Sequence, residues 1–245
     1  MVQPVSRYRK YSEYLKTKYG EKVYKLPVNL PGTCPNRDGV KGENGCIFCD
    51  EQGAGFDALN CALSVREQIS RNKEFYTARF GAKKYISYFQ SYSNTYLPVE
   101  QFRENLYAAC GEDIVGISVS TRPDCVSEDH LDVLDEIREV FEVDIDVELG
   151  LQTVNYRTLH RINRGHTLAE FVDAANRVKA RKFALCVHMI LNLPWDDMVD
   201  VIEGAKFLSA FRIDYVKLHS LYVVQGTSLG DMYAGGEIEI CSLQE

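Results

Sequence analysis

Residues 23–49 read VYKLPVNLPGTCPNRDGVKGENGCIFC. A short apolar run, 23–30, leads straight into a Gly-rich loop holding Cys34, Cys46 and Cys49, with no fourth cysteine nearby. Three thiolates can hold three irons of a four-iron cluster and leave the fourth open to a ligand. A structural metal site would instead close its shell with four protein ligands. The stretch therefore predicts a strand whose carboxyl end delivers an incomplete metal centre.

Strand-like and helix-like segments alternate outward from that loop. Apolar runs at 113–119, 143–149, 184–191 and 214–221 read as strands, with shorter candidates at 23–30 and 84–90. Helical patterns fall at about 61–79, 98–110, 127–141, 167–182 and 196–211, two of them opened by Ser127 and by Pro194 with Asp196 and Asp197. Six such units predict a parallel sheet with right-handed crossovers, closed only into a partial (β/α)6 barrel. The expected organisation is a basic, Tyr-rich helical segment over 1–22 and the barrel over 23–245. The end of the chain, GEIEICSLQE, reads like the start of a helix cut short, so a truncated carboxyl-terminal segment is expected.

The 245 residues suffice for a large core, and 45% hydrophobic with 26% charged residues is ordinary for a globular protein. No run is long enough to span a membrane and the start lacks a signal peptide's apolar segment, so a cytoplasmic protein with reduced cysteines is expected. A net charge of −7 argues against indiscriminate nucleic-acid binding. The first 25 residues run against that balance, interleaving Arg7, Arg9, Lys10, Lys16 and Lys18 with Tyr8, Tyr11, Tyr14 and Tyr19. Such a pattern suits phosphate contact with base stacking; the plainer reading is an amphipathic helix whose tyrosines pack on the barrel.

Parallel α/β folds place ligands at the carboxyl ends of their strands. There this chain carries Gln90 to Thr95, Ser120 to Asp124, Glu148 to Thr153, then Arg161, Arg164, Gly165 and His166. His188 lies within the fifth strand, which runs into Asn192, Leu193 and Pro194; Lys217 and His219 lie on the sixth. Lys217 and His219, two apart, share a face of their strand. With Cys125, which follows the third strand's loop, they are candidate catalytic or substrate residues. The plainer readings are a structural cysteine and hydrogen-bonded core histidines.

The CxxFC ending, with Phe48 before Cys49, resembles a radical S-adenosylmethionine (SAM) enzyme. Eleven residues separate Cys34 from Cys46, against three in most of that superfamily. That long spacing is similar to the YhcC/YtqA-type family, a relative of the Elongator catalytic subunit. STRPD at 120–124, ELGLQT at 148–153, INRGH at 162–166 and HMILNLP at 188–194 carry the same resemblance, while Pro194-Trp195-Asp196 departs from the more usual Pro-Gly-Glu. The resemblance implies a 4Fe-4S cluster on Cys34, Cys46 and Cys49 and reductive cleavage of SAM to a 5′-deoxyadenosyl radical. It implies SAM contacts at Ser91 (amino group), Arg164 (carboxylate), Glu148 and Gln152 (ribose), and around His188, Ile190 and Leu193 (adenine). It also implies an electron donor such as flavodoxin or ferredoxin, and modification of tRNA, most naturally at a wobble uridine. A small metabolite, a porphyrin-like ring or a peptide would also fit a partial barrel. The alternative of another class is a non-catalytic zinc- or RNA-binding module, with His166 or His188 as a distant fourth zinc ligand.

Overall fold

The computed structural model describes residues 7–50 and 58–241. Six strands pair in chain order with every neighbour parallel: β1 (Val23–Val28), β2 (Lys84–Phe89), β3 (Ile114–Thr121), β4 (Asp144–Gln152), β5 (Ala184–Leu191) and β6 (Tyr215–Ser220). Parallel neighbours need a crossover, and here helices supply it. They are α2 (Val65–Phe80), α3 (Val99–Ala109), α4 (Glu128–Phe141), α6 (Leu168–Ala180) and α7 (Met198–Ala210). A short α1 (Tyr11–Tyr19) precedes the sheet, α5 (Tyr156–Arg161) follows β4, and α8 (Ser228–Ala234) follows β6. The sheet curls into a half-barrel, as the alternating pattern predicts.

The two-residue period of a strand decides what each face carries. On β4, Ile145, Val147 and Leu149 join the buried core with Leu131 and Leu134 of α4 and Phe171 of α6. Asp144, Asp146 and Glu148 alternate with them, facing the concave side. Helix starts follow the side-chain caps. Ser64 opens α2 and Thr167 opens α6 with reciprocal capping boxes, and Asp197 does the same for α7. That is why α2 begins at Val65 and not at 61.

The tyrosines of α1 close the floor of the half-barrel. Tyr11 donates to Asp146 (3.1 Å), Tyr19 donates to Asp144, and the Tyr11 ring lies 5.0 Å from that of Tyr215 on β6. Asp146 is buried and needs donors, one of which the Tyr11 hydroxyl supplies, while the more exposed Asp144 also pairs with Lys18. The stacking surface suggested for this segment is thus largely committed to the sheet, in line with the plainer reading of an amphipathic helix packed on the barrel. At the other end, the segment expected to begin a helix is a turn followed by irregular chain through Cys241, and the remainder of that expectation lies outside the described residues.

The core assignment has a direct test on one helix. Leu131→Ala removes a side chain with no exposed surface and is expected to cost about 2–5 kcal/mol in urea unfolding. Val140→Ala, on the exposed side of the same helix, is expected to change stability by less than about 0.5 kcal/mol.

Candidate metal centre and cofactor pocket

The cysteine loop is held by hydrogen bonds that sequence distance conceals. A turn from Cys49 N–H to Cys46 C=O (2.9 Å) sets those two residues together, and Gly45 N–H closes onto Asn36 C=O (2.7 Å). The loop is then clamped to the segment after α5. Asn36 donates from Nδ2 to Asn163 C=O (2.5 Å), Asn163 donates from Nδ2 to Gly45 C=O (2.8 Å), and Ile47 N–H bonds Ile162 C=O (3.1 Å). Gly165 sits at φ +73, where a Cβ would lie 2.5 Å from Asn36 Oδ1. Below the loop, Ile47, Phe48 and Trp195 pack on Leu159, Ile162, Ile190 and Leu193.

Two buried guanidiniums face the thiols. Arg164 Nη1 lies 3.4 Å from Cys46 Sγ, while Nη2 and Nε donate to Gly150 C=O at 2.7 and 3.3 Å. Arg122 Nη1 lies 3.8 Å from Cys34 Sγ and bonds Arg164 C=O (2.8 Å); its other donors grip Asp124 (2.9 and 3.0 Å). Asp124 is tied in turn to Lys41, which also reaches Glu170. Arg37 donates to the carbonyls of Cys49 (2.8 Å) and Asp50. Burial pushes the Cys49 thiol up, Cys46 adds to that, and Arg37 opposes both. Arg164 is buried with no carboxylate partner among the described residues, so its charge asks for an anion where the thiols converge.

The donor set separates a cluster from a lone ion. Sulfurs around one tetrahedral zinc stand about 3.8 Å apart, given bonds of about 2.3 Å. Among the described residues, the group of three potential ligands within 4.8 Å of one another is Glu148, Cys186 and His188, and not the three loop cysteines. The three loop thiols do not all lie within that distance of one another, as ligands of one tetrahedral zinc would. The closer trio is a poor cation site, because Lys25 already pairs with Glu148 and burial pushes the Cys186 thiol up.

A cavity of about 210 Å³ opens over the loop and brings together Cys34, Cys46, Cys49, Glu148, Gln152, Arg164, His188, Lys217 and His219. Glu148 is its hub. It accepts from Lys25, His188 Nε2 (2.6 Å), Ser118 (2.7 Å), Tyr88 (3.1 Å) and Ser120 (3.3 Å). Burial alone would raise its pKa, but the His188 bond and the charges of Lys25, His188 and Lys217 hold it well below the usual range. Burial pushes His188 and Lys217 down, and brings His219 to about 4 with help from His188 and Lys217.

Other candidates lie elsewhere. Ser91 is buried with its hydroxyl unpartnered, and its neighbours Gln90 and Tyr92 line the cavity instead. Ile190 borders an adjoining recess with Phe48 and His219, whereas Leu193 is enclosed in the apolar cluster beneath the loop. Cys125 does not reach the mouth. It ends a short 3-10 turn and lines a separate depression with Thr95 and His130, its thiol pushed up to about 11 by burial. Sequence reasoning placed Arg122 at a strand end without giving it a role and passed over Lys25 and Tyr88; a lysine inside the strand VYKLPV was the available signal for one of them.

Gly165→Ala forces a Cβ into Asn36 and strains a left-handed residue by about 1–2 kcal/mol. The expected result is a several-fold loss of metal retained after reconstitution with iron and sulfide, with far-ultraviolet dichroism unchanged; full retention would show the clamp dispensable. The histidines give a pH test. An unfolded imidazole titrates near 6.5, so between about 6.5 and 4 the unfolded chain takes up a proton that folded His219 refuses. Stability of the metal-free protein must therefore fall as pH drops through that window. His219→Gln should flatten the decline in a series of thermal melts.

Known proteins resemble this chain in sequence and in fold. Residues 32–208 match the model of the Radical SAM superfamily. The chain is 36% identical over 237 residues to the uncharacterized protein YtqA of Bacillus subtilis, covering 96% of this chain and 73% of that one. It is 28% identical over 131 residues to the tRNA uridine(34) acetyltransferase of Methanocaldococcus jannaschii, covering 50% of this chain and 22% of the other. Among solved structures, the archaeal Elp3 of Methanocaldococcus infernus superposes with a TM-score of 0.65 at 18% identity, over 89% of this chain and 50% of that one. The chain belongs to the radical SAM superfamily, in the YhcC/YtqA-type family related to Elongator protein 3, and is a radical SAM enzyme whose cofactors are a 4Fe-4S cluster and SAM.

Proposed function

We propose that Cys34, Cys46 and Cys49 hold the cluster and that the enzyme uses it to modify tRNA at the wobble uridine. The observation that carries the first half is the convergence of the three thiols on one cavity with Arg164, a buried cation lacking a carboxylate partner among the described residues. The chemistry supplied by the bound cofactors is reductive cleavage of SAM to a 5′-deoxyadenosyl radical. The residues' part is to bind and orient. Arg164 offers its guanidinium to the SAM carboxylate, Glu148 and Gln152 to the ribose hydroxyls, and the chain from His188 through Ile190 to Leu193 flanks the adenine. The run from Gln90 to Tyr92 serves the amino group, with Ser91 behind it.

The tRNA half rests on the similarity to a tRNA uridine(34) acetyltransferase over half of this chain. A flavodoxin or ferredoxin is the reductant in this reading, and the cytoplasm its setting; no helix among the described residues is long and apolar enough to cross a membrane. Cys49→Ala should abolish 5′-deoxyadenosine formation from SAM and dithionite, assayed by chromatography, while leaving the melting profile close to wild type. Nucleoside profiling of tRNA from cells with and without the gene tests the substrate: loss of one modified uridine is expected, and an unchanged profile would move the substrate to another class.

A further inference from the structure

The floor helix and the last strand leave a second, larger cavity that the cofactor reading does not use. It encloses about 690 Å³ between α1 and β6 and meets the cofactor cavity at Glu148 and Lys217, which line both. Its charged lining is Arg9, Lys10, Lys25 and Lys217 against Glu148 and Asp214. The two carboxylates are already engaged. Glu148 is shared by Lys25 and His188, and Asp214 accepts the backbone N–H of Leu185. Tyr11 and Tyr215 add aromatic walls.

Lys217 stands at the junction. Its Nζ donates to Tyr88 Oη (2.8 Å) and lies 4.9 Å from that ring's centre. Among the described residues it makes no ion pair, because the nearby carboxylate is held by Lys25. A half-buried ammonium whose nearby carboxylate, Glu148, is already shared by Lys25 and His188 is incompletely compensated, and an anion would complete it. Burial indeed pushes Lys217 below the usual lysine range. Two of its three donor positions remain for a ligand.

We propose that Lys217 binds an anionic group, phosphoryl or carboxylate, of a substrate seated in the α1–β6 cavity. The remainder of that substrate then extends toward the cofactor mouth past Tyr88 and Glu148. The proposal rests on the reading that a substrate enters this barrel, and makes the anion its defining feature. It makes Lys217 a binding residue and assigns it no proton transfer.

The test is calorimetry on the reconstituted chain with SAM present, titrated with uridine 5′-monophosphate, uridine and succinate. If the anion is a phosphoryl group, the monophosphate binds at least ten-fold more tightly than uridine, Lys217→Met removes that advantage, and Lys217→Arg keeps most of it. If succinate binds through Lys217 and the monophosphate does not, the anion is a carboxylate; the proposal stands and the tRNA reading weakens. Equal binding of nucleotide and nucleoside without succinate binding, no anion binding, or anion affinities unchanged in Lys217→Met would overturn it. Should the Met variant fold poorly, wild-type protein answers the same question. Reductive methylation of Lys217, read by peptide mass spectrometry, must be slowed by whichever anion binds and not by uridine, and absence of protection by either anion overturns the proposal. Formation of 5′-deoxyadenosine without substrate is read separately, so failure at Lys217 leaves the cofactor assignment standing.

Discussion

The clamp between the cysteine loop and the segment 162–165 is the constraint on which the site depends. A loop of this length could take many shapes, and its closure entropy alone would scatter the three thiols. Asn36, Asn163 and Ile162 reduce that freedom with bonds that cross more than a hundred residues of sequence. The same segment carries Arg164, so the act of anchoring the loop also brings a guanidinium to Cys46. Gly150 completes the arrangement, because a Cβ there would stand 2.7 Å from the Arg164 terminal nitrogen.

The concave face follows a second rule. Apolar alternates of the strands are spent on the helices, which leaves charged alternates inside the curl. Glu148 gathers Lys25, His188, Ser118, Ser120 and Tyr88 from four other strands into one network. At the bottom, the α1 tyrosines perform the matching task for Asp144 and Asp146. Buried polar groups of this kind add specificity only when they are satisfied; around Glu148 that demand is met, while Lys217 keeps donors beyond its bond to Tyr88. The interior is thus organised by hydrogen bonding from floor to mouth, with Arg164 and Lys217 left without a carboxylate partner among the described residues.

Much of this was legible in the sequence because strand and helix periodicities differ. The run VDIDVEL announced both its strand and the two faces of that strand, and Ser127 and Asp197 marked helix starts that the structure retains. The pairing of Lys217 with His219 on one face was legible for the same reason. Side-chain direction in loops was not. Ser91 points into the protein while Gln90 and Tyr92 face the cavity, and Cys125 turns away with the 3-10 turn that carries it. Nor could spacing show that Arg122 reaches back to Cys34 across 88 positions. Such contacts come from the curl of the sheet, which no local pattern records.

Electron paramagnetic resonance of the reduced, reconstituted protein addresses the central claim most directly. Three cysteines that ligate three of four irons leave one iron open to SAM. Adding SAM must then change the g values of the reduced cluster, and SAM labelled with ¹⁷O in its carboxylate must add hyperfine broadening. A spectrum indifferent to SAM, or a colourless protein carrying one zinc per chain, would contradict the account.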